Sequence, residues 1–394
     1  MKRYLFLTTA LGYLTLHVES TFLNGSISSG QLYISGSDKG LITSTFSALN
    51  IAIQTYWSIL PSPINETVVA NANNSFSFLE LNGGSFVADE SLVLPSYFVL
   101  SLNDVDISPS SSFLPYRSMI EINSTILSGV VSRGGPSMAR FHCDDVTVSP
   151  GAITSTNSSR VYIDGIEVYG CGHGNGGAIH FQGVPMTWAG FTATGLTVAN
   201  CNIRNSSRAI WTETVSGVSI HNNTLSYSSS HTLDFDAFTH YSVATNNVIF
   251  NNSAREGVFI EQGAVGITVS NNIIGPGNGN GIAVYNNAMN ISCGPHVIAG
   301  NIIFDNLNAG ISLGSTAPKE GEPNIGVLVM GNTLHGNGGD SKPQGYHTNG
   351  AQIGTIYASN SNFDGISKYT QFSPFTSSNI SVVDPLNRES LLKD

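Results

Sequence analysis

The chain has 394 residues, only 10% of them charged, and its acids outnumber its bases 26 to 15. That balance leaves no basic footprint for nucleic acid. Lys, Glu and Arg are too scarce to solvate long exposed helices, while 42 glycines and many Asn and Ser residues imply tight turns.

Residues 1–20 read as a signal peptide. Lys2 and Arg3 give a basic start, Tyr4 to Val18 is mostly apolar, and Val18-Glu19-Ser20 offers a cleavage site. No later run approaches the roughly 20 apolar residues of a spanning helix. Asn-x-Ser/Thr sequons at Asn24, Asn65, Asn73, Asn123, Asn157, Asn205, Asn222, Asn251, Asn290 and Asn379 agree with a secretory route. The expectation is a secreted, extracellular glycoprotein that is free of the membrane once the signal is removed. Residues 21–120 are expected to form an N-terminal cap and the first coils, with Ser47 to Trp57 a short amphipathic helix. Cys143, Cys171, Cys201 and Cys293 permit a disulfide whose pairing stays open, and their spacing does not suggest zinc.

Residues 121–335 carry a repeat. GLTVANCNI (195–203), GVSIHNNTL (217–225), YSVATNNVI (241–249), GITVSNNII (266–274), HVIAGNIIF (296–304) and GVLVMGNTL (326–334) share one pattern. Aligning them matches Asn202, Asn223, Asn247, Asn272, Asn301 and Asn332, at spacings of 21, 24, 25, 29 and 31 residues. Short alternating strands at such a period predict a parallel solenoid in which stacked coils share one core. The asparagines are expected to stack as an internal ladder. A second strand follows in each coil, with Ile179, Ile210, Leu233, Val258, Ile282 and Ile311 facing inward. Residues 336–394 are expected to be a C-terminal coil and tail that packs on or caps the helix.

The order from Phe76 to Leu100 is apolar strand, Gly-Gly-Ser-Phe, strand, Leu-Pro-Ser, strand. With the Asn repeats it resembles the pectate-lyase-like superfamily of carbohydrate-active enzymes, over roughly residues 40 to 335. The resemblance implies an all-β, right-handed, single-stranded parallel β-helix with a short N-terminal helical cap. It also implies a polysaccharide or oligosaccharide substrate.

The outward positions of the second strands form two columns. One runs His180, Trp211, Asp234, Phe259, Ala283; the other runs Gln182, Glu213, Asp236, Glu261, Tyr285. Arg208, His231 and Glu256 stand at strand entries. Five acids converge on a few coils stacked about 4.8 Å apart, so some carboxyl pKa values should be raised. Such pairs fit glycoside hydrolysis or transglycosylation, in which one carboxyl protonates the leaving oxygen and another attacks or activates water. Asp234, Asp236, Glu261, Glu213 and His231 are the catalytic candidates. Trp211, Arg208, His180, Gln182, Glu256, Phe259 and Tyr285 are expected to bind substrate, with aromatic rings against the sugars. The columns are expected to form one open groove. No cofactor is required, although calcium fits the acids.

Two rival readings remain. His231-Thr232-Leu233-Asp234-Phe235-Asp236 is similar to the Tyr-Gly-Phe-Asp-Pro-His motif of mannuronan C5-epimerases. Asp234 matches, but the Tyr and His positions hold His231 and Asp236, so a polyuronate lyase or epimerase is the first alternative. Asp144-Asp145, Gly172-His173-Gly174 and Arg208-Ala209-Ile210 partly resemble the polygalacturonase order, with Trp211 at its Lys position. The second alternative is a non-catalytic carbohydrate- or wall-binding β-helix. His173, His221, His240, His296 and His347 read as separate turn or surface residues.

Overall fold

The computed structural model describes residues 13–18, 21–28, 31–35, 44–47, 49–50, 53, 77–132, 137–143, 148–174, 176–184, 193–286, 293–315, 324–339, 345–348, 352–362 and 381–383. Its main body is a stack of parallel coils. Each coil gives one strand to a ten-stranded sheet, which holds the site, and others to a larger sheet. The site sheet runs from Leu92–Val93 through Gly177–Gln182, Arg208–Glu213, Leu233–Phe235, Val258–Glu261 and Ile282–Asn286 to Tyr346–Thr348. Its core-facing column, Ile120, Ile153, Ile179, Ile210, Leu233, Val258, Ile282 and Ile311, is wholly buried. Each such burial contributes about 1.5–3 kcal/mol. A one-residue slip would turn a coil inside out, so this column fixes the register.

The ladder forms with one correction. Asn223, Asn247, Asn272, Asn301, Asn332 and Asn360 stack, each amide donating to the next side-chain oxygen at 2.9–3.0 Å. The place below Asn223 belongs to Cys201, whose N–H donates to Asn223 Oδ1, and not to Asn202. Asn202 pairs instead with Thr224 one position along. The corner before each rung is left-handed, at Asn200, Asn222, Asn246, Asn271, Gly300, Gly331 and Ser359. Asn and Gly tolerate that conformation best.

Phe46, Ser47, Leu49, Asn50 and Ile53 are helical, and Phe46, Leu49 and Ile53 are buried on one face. The rest of the expected Ser47–Trp57 helix lies outside the described residues. Asn50 caps the start of the site sheet, accepting from Val93 N and donating to Ser91 O. Upstream, Tyr13–Val18 pairs antiparallel with Thr21–Ser28. Cys143 and Cys171 form a disulfide, while Cys201 and Cys293 are free and buried. Tyr346–Thr348 joins the site sheet and Ile356–Ala358 joins the larger one, so regular coils continue beyond residue 335. Among the described residues, no helix is long and apolar enough to cross a membrane.

Candidate active site

The alternation that buries Ile210 and Leu233 turns their neighbours outward. His180 pairs with Trp211, Trp211 with Asp234, Asp234 with Phe259, and Glu261 with Tyr285. Trp211 stacks on His180 with ring centroids 4.0 Å apart, and the Arg208 guanidinium lies 4.6 Å from the Trp211 ring. Arg208 Nε donates to Asp234 Oδ2 at 2.7 Å. Asp236 accepts from Trp211 Nε1 at 3.1 Å and from Ala237 N at 2.6 Å. Asp234, Asp236 and Glu261 each bring a carboxylate oxygen within 4.8 Å of the others.

The electrostatics separate the three acids. Burial, then the charges of Asp234 and Asp236, pushes Glu261 up to about 8, so it holds its proton at neutral pH. Burial also raises Asp234, to about 6, against the opposing pull of His231 and Arg208. Asp236 accepts from both Trp211 Nε1 and Ala237 N, which fixes the orientation of its carboxyl group. Calcium takes about six to eight oxygens. The trio would supply the charged part of such a shell, in competition with Arg208 for Asp234 and with the proton for Glu261.

A cleft of about 500 Å³ opens toward the C-terminal coils. His231, Arg255, Glu256, Phe259 and Tyr285 line its near end, and Ser312 and His347 its far end. His231 Nδ1 lies 2.7 Å from Glu256 Oε2, Nε2 faces Arg255 Nη1 at 3.4 Å, and the ring stacks on Phe259 at 4.2 Å. Burial opposes ionisation of Glu256, but the hydrogen bond and charge of His231 outweigh it and hold its pKa below the ordinary value. Asn280 bridges coils here, donating to Glu256 Oε1 and accepting from Ala309 N.

A family model described as a right-handed β-helix region matches residues 121–295. The chain is a right-handed parallel β-helix. No curated protein sequence matches it significantly. Among solved structures, it is similar to a polygalacturonase from Erwinia carotovora ssp. carotovora, at 13% identity over 90% of this chain and 96% of that one, with a TM-score of 0.53. An alginate lyase from Paenibacillus sp. str. FPU-7 aligns at 13% identity over 90% and 99%, with a TM-score of 0.51. A tailspike of Acinetobacter baumannii bacteriophage Fri1, a capsular polysaccharide depolymerase, aligns at 12% identity over 96% and 67%, also at 0.51. At these identities the likeness is one of fold.

Within the β-helix, the expected single groove is not what forms. Asp234 is fully buried and Glu261 only 7% exposed. Trp211 and Phe259 occupy the ladder positions on either side of Asp234, and Arg208 covers its carboxylate. Glu213 turns to Gln182 and His180, at 3.5 and 3.7 Å, and is not one of the three convergent acids. The Gly172–Gly174 turn abuts the entry to the Arg208 strand through Ser207; Asp144 and Asp145 lie outside the described residues. His296 is a core residue 3.2 Å from Cys293 Sγ, and not a turn or surface residue. His347 lines the cleft and is not an isolated surface residue. Sequence reasoning missed Asn280, Ser312 and His347 as site residues. The column Ala283, Ser312, His347, which continues that of Asp234 and Phe259, was the available signal.

Proposed function

We propose that this β-helix is a secreted glycoside hydrolase, or a related transglycosylase, acting on a polysaccharide. The observation that carries the reading is the convergence of Asp236, Glu261 and Asp234 within 4.8 Å, in a setting whose burial favours the protonated form of Glu261. Glu261 gives its proton to the glycosidic oxygen as the bond breaks. Asp236 attacks the anomeric carbon or activates a water, held in place by Trp211 Nε1 and Ala237 N. Asp234 fixes Arg208 against the Trp211 ring and adds the charge that keeps Glu261 protonated; it acts through these neighbours and not on the sugar. The cleft with Phe259 and Tyr285 takes the chain on the C-terminal side. A screen of neutral and acidic polysaccharides, read for new reducing ends and for ultraviolet absorbance together, tests the reading. Reducing ends without absorbance support it.

One observation favours a uronate lyase or epimerase as the second reading. His231, paired with Glu256, lines the cleft beside Arg255, a cation placed to neutralise a substrate carboxylate. Cleavage with rising absorbance selects the lyase; a change of uronate composition without cleavage selects the epimerase. Binding without any turnover selects the non-catalytic reading.

A further inference from the structure

A second corner of the β-helix leads from the larger sheet into the site sheet. There the backbone turns left-handed at Asn205, Tyr227 and Asn251, with φ of 56°, 57° and 55°. The three stand in one column on successive coils. Asn205 N donates to Ser226 O, Tyr227 N to Phe250 O, and Asn251 N to Pro276 O. Asn accepts this conformation readily, whereas a bulky residue in it is a genuine outlier. Burial does not explain the tyrosine. It is 53% exposed, and its ring meets the edge of Phe250, with centroids 6.2 Å apart.

Both flanking asparagines begin sequons, Asn205-Ser206-Ser207 and Asn251-Asn252-Ser253. Both are half-exposed, while the next residues, Ser206 and Asn252, are buried. Neighbouring coils are about 4.8 Å apart, so each asparagine sits within one sugar ring of the tyrosine. Asn222 is the contrast. It is an exposed left-handed sequon asparagine whose corner neighbours are Asn200 and Asn246.

We propose that Asn205 and Asn251 carry N-linked glycans whose first sugars pack against Tyr227. The donor is a lipid-diphosphate-linked oligosaccharide. A bond forms between the sugar C1 and the asparagine Nδ2, the C1–O bond to the donor breaks, the lipid diphosphate leaves, and the amide loses one proton. Attachment takes place on the unfolded chain. The fold then keeps the sugar at a half-exposed corner, beside a tyrosine ring that the protein covers only in part. The proposal is independent of the reaction at the acid trio.

The test is to secrete the full chain from a eukaryotic host and release the glycans with an amidase in heavy-oxygen water. Peptide mapping should find labelled aspartate at positions 205 and 251. Tyr227→Ala should lower the melting temperature of the glycosylated protein by about 1–2 °C. Tyr227→Phe, which keeps the ring, should not. After glycan release the Tyr227→Ala difference should vanish. Absence of label at either asparagine overturns the proposal, whether or not Asn222 is labelled. So does a Tyr227→Ala difference that survives glycan release.

Discussion

Replacing Glu261 with Gln should make the protein more stable, most clearly in alkali. In the folded state Glu261 is raised from 4.5 to about 8 by burial and by Asp234 and Asp236; in the unfolded chain it ionises near its ordinary value. A raised folded pKa means the folded state binds the extra proton. Its stabilising effect is complete below the unfolded pKa and is lost as pH rises through about 8. Between pH 7 and pH 9 the folded state gives up that proton while the unfolded state has none to lose, which amounts to about 1.4 kcal/mol. Asp234, raised to about 6, has already ionised by pH 7 and adds little in this window. Denaturant titrations at pH 7 and pH 9 should show the loss in the wild type and little of it in Glu261→Gln. Equal losses in both proteins would refute the assignment of the proton to Glu261.

The trio's chemistry can be probed by Asp236→Asn, which should lower kcat about 10²–10⁴-fold with melting unchanged; wild-type activity should fall as pH rises through about 8, and a profile still rising there removes Glu261 as the acid. Asn272→Ala should cost at least about 2 kcal/mol, because it strips partners from Asn247, Asn301 and the Ala244 carbonyl. Asn202→Ala should cost far less, and equal effects in thermal melts would mean that the ladder is misplaced. A chelator should leave activity intact, because Arg208 and the Glu261 proton already offset the trio's charge. Activity restored only by added calcium would give those carboxylates to the ion.

The stacking of the coils was legible because one interaction dominates it. Ile210, Leu233, Val258 and Ile282 recur at the same place in successive coils, each with a second core residue two positions on, and no other register buries them all. The ladder was legible from Asn223 to Asn332; Asn360 adds a rung beyond the repeats, and the start was misplaced. There a small buried thiol, Cys201, does the asparagine's spatial job, so matching by residue type slid the alignment to Asn202. The site was legible as to which side of the sheet each residue faces, but not as to depth. Alternation separates core from exterior; it does not show that Trp211, Phe259 and Arg208 form a second layer over Asp234. Nor does spacing show that Glu213 prefers Gln182 and His180. Ser312 and His347 were not placed at the site because the long insertion between their strands hides the pairing that brings them together.

The central claim is that Glu261 and Asp236 cleave a glycosidic bond with water. The most direct measurement is mass spectrometry of the products of a cleaved polysaccharide after digestion in heavy-oxygen water, with Glu261→Gln and Asp236→Asn as controls. The account predicts one labelled oxygen at each new reducing end and none at the other new end, no unsaturated sugar, and no products from either variant. Unlabelled products carrying an unsaturated end, or undiminished cleavage by both variants, would contradict it.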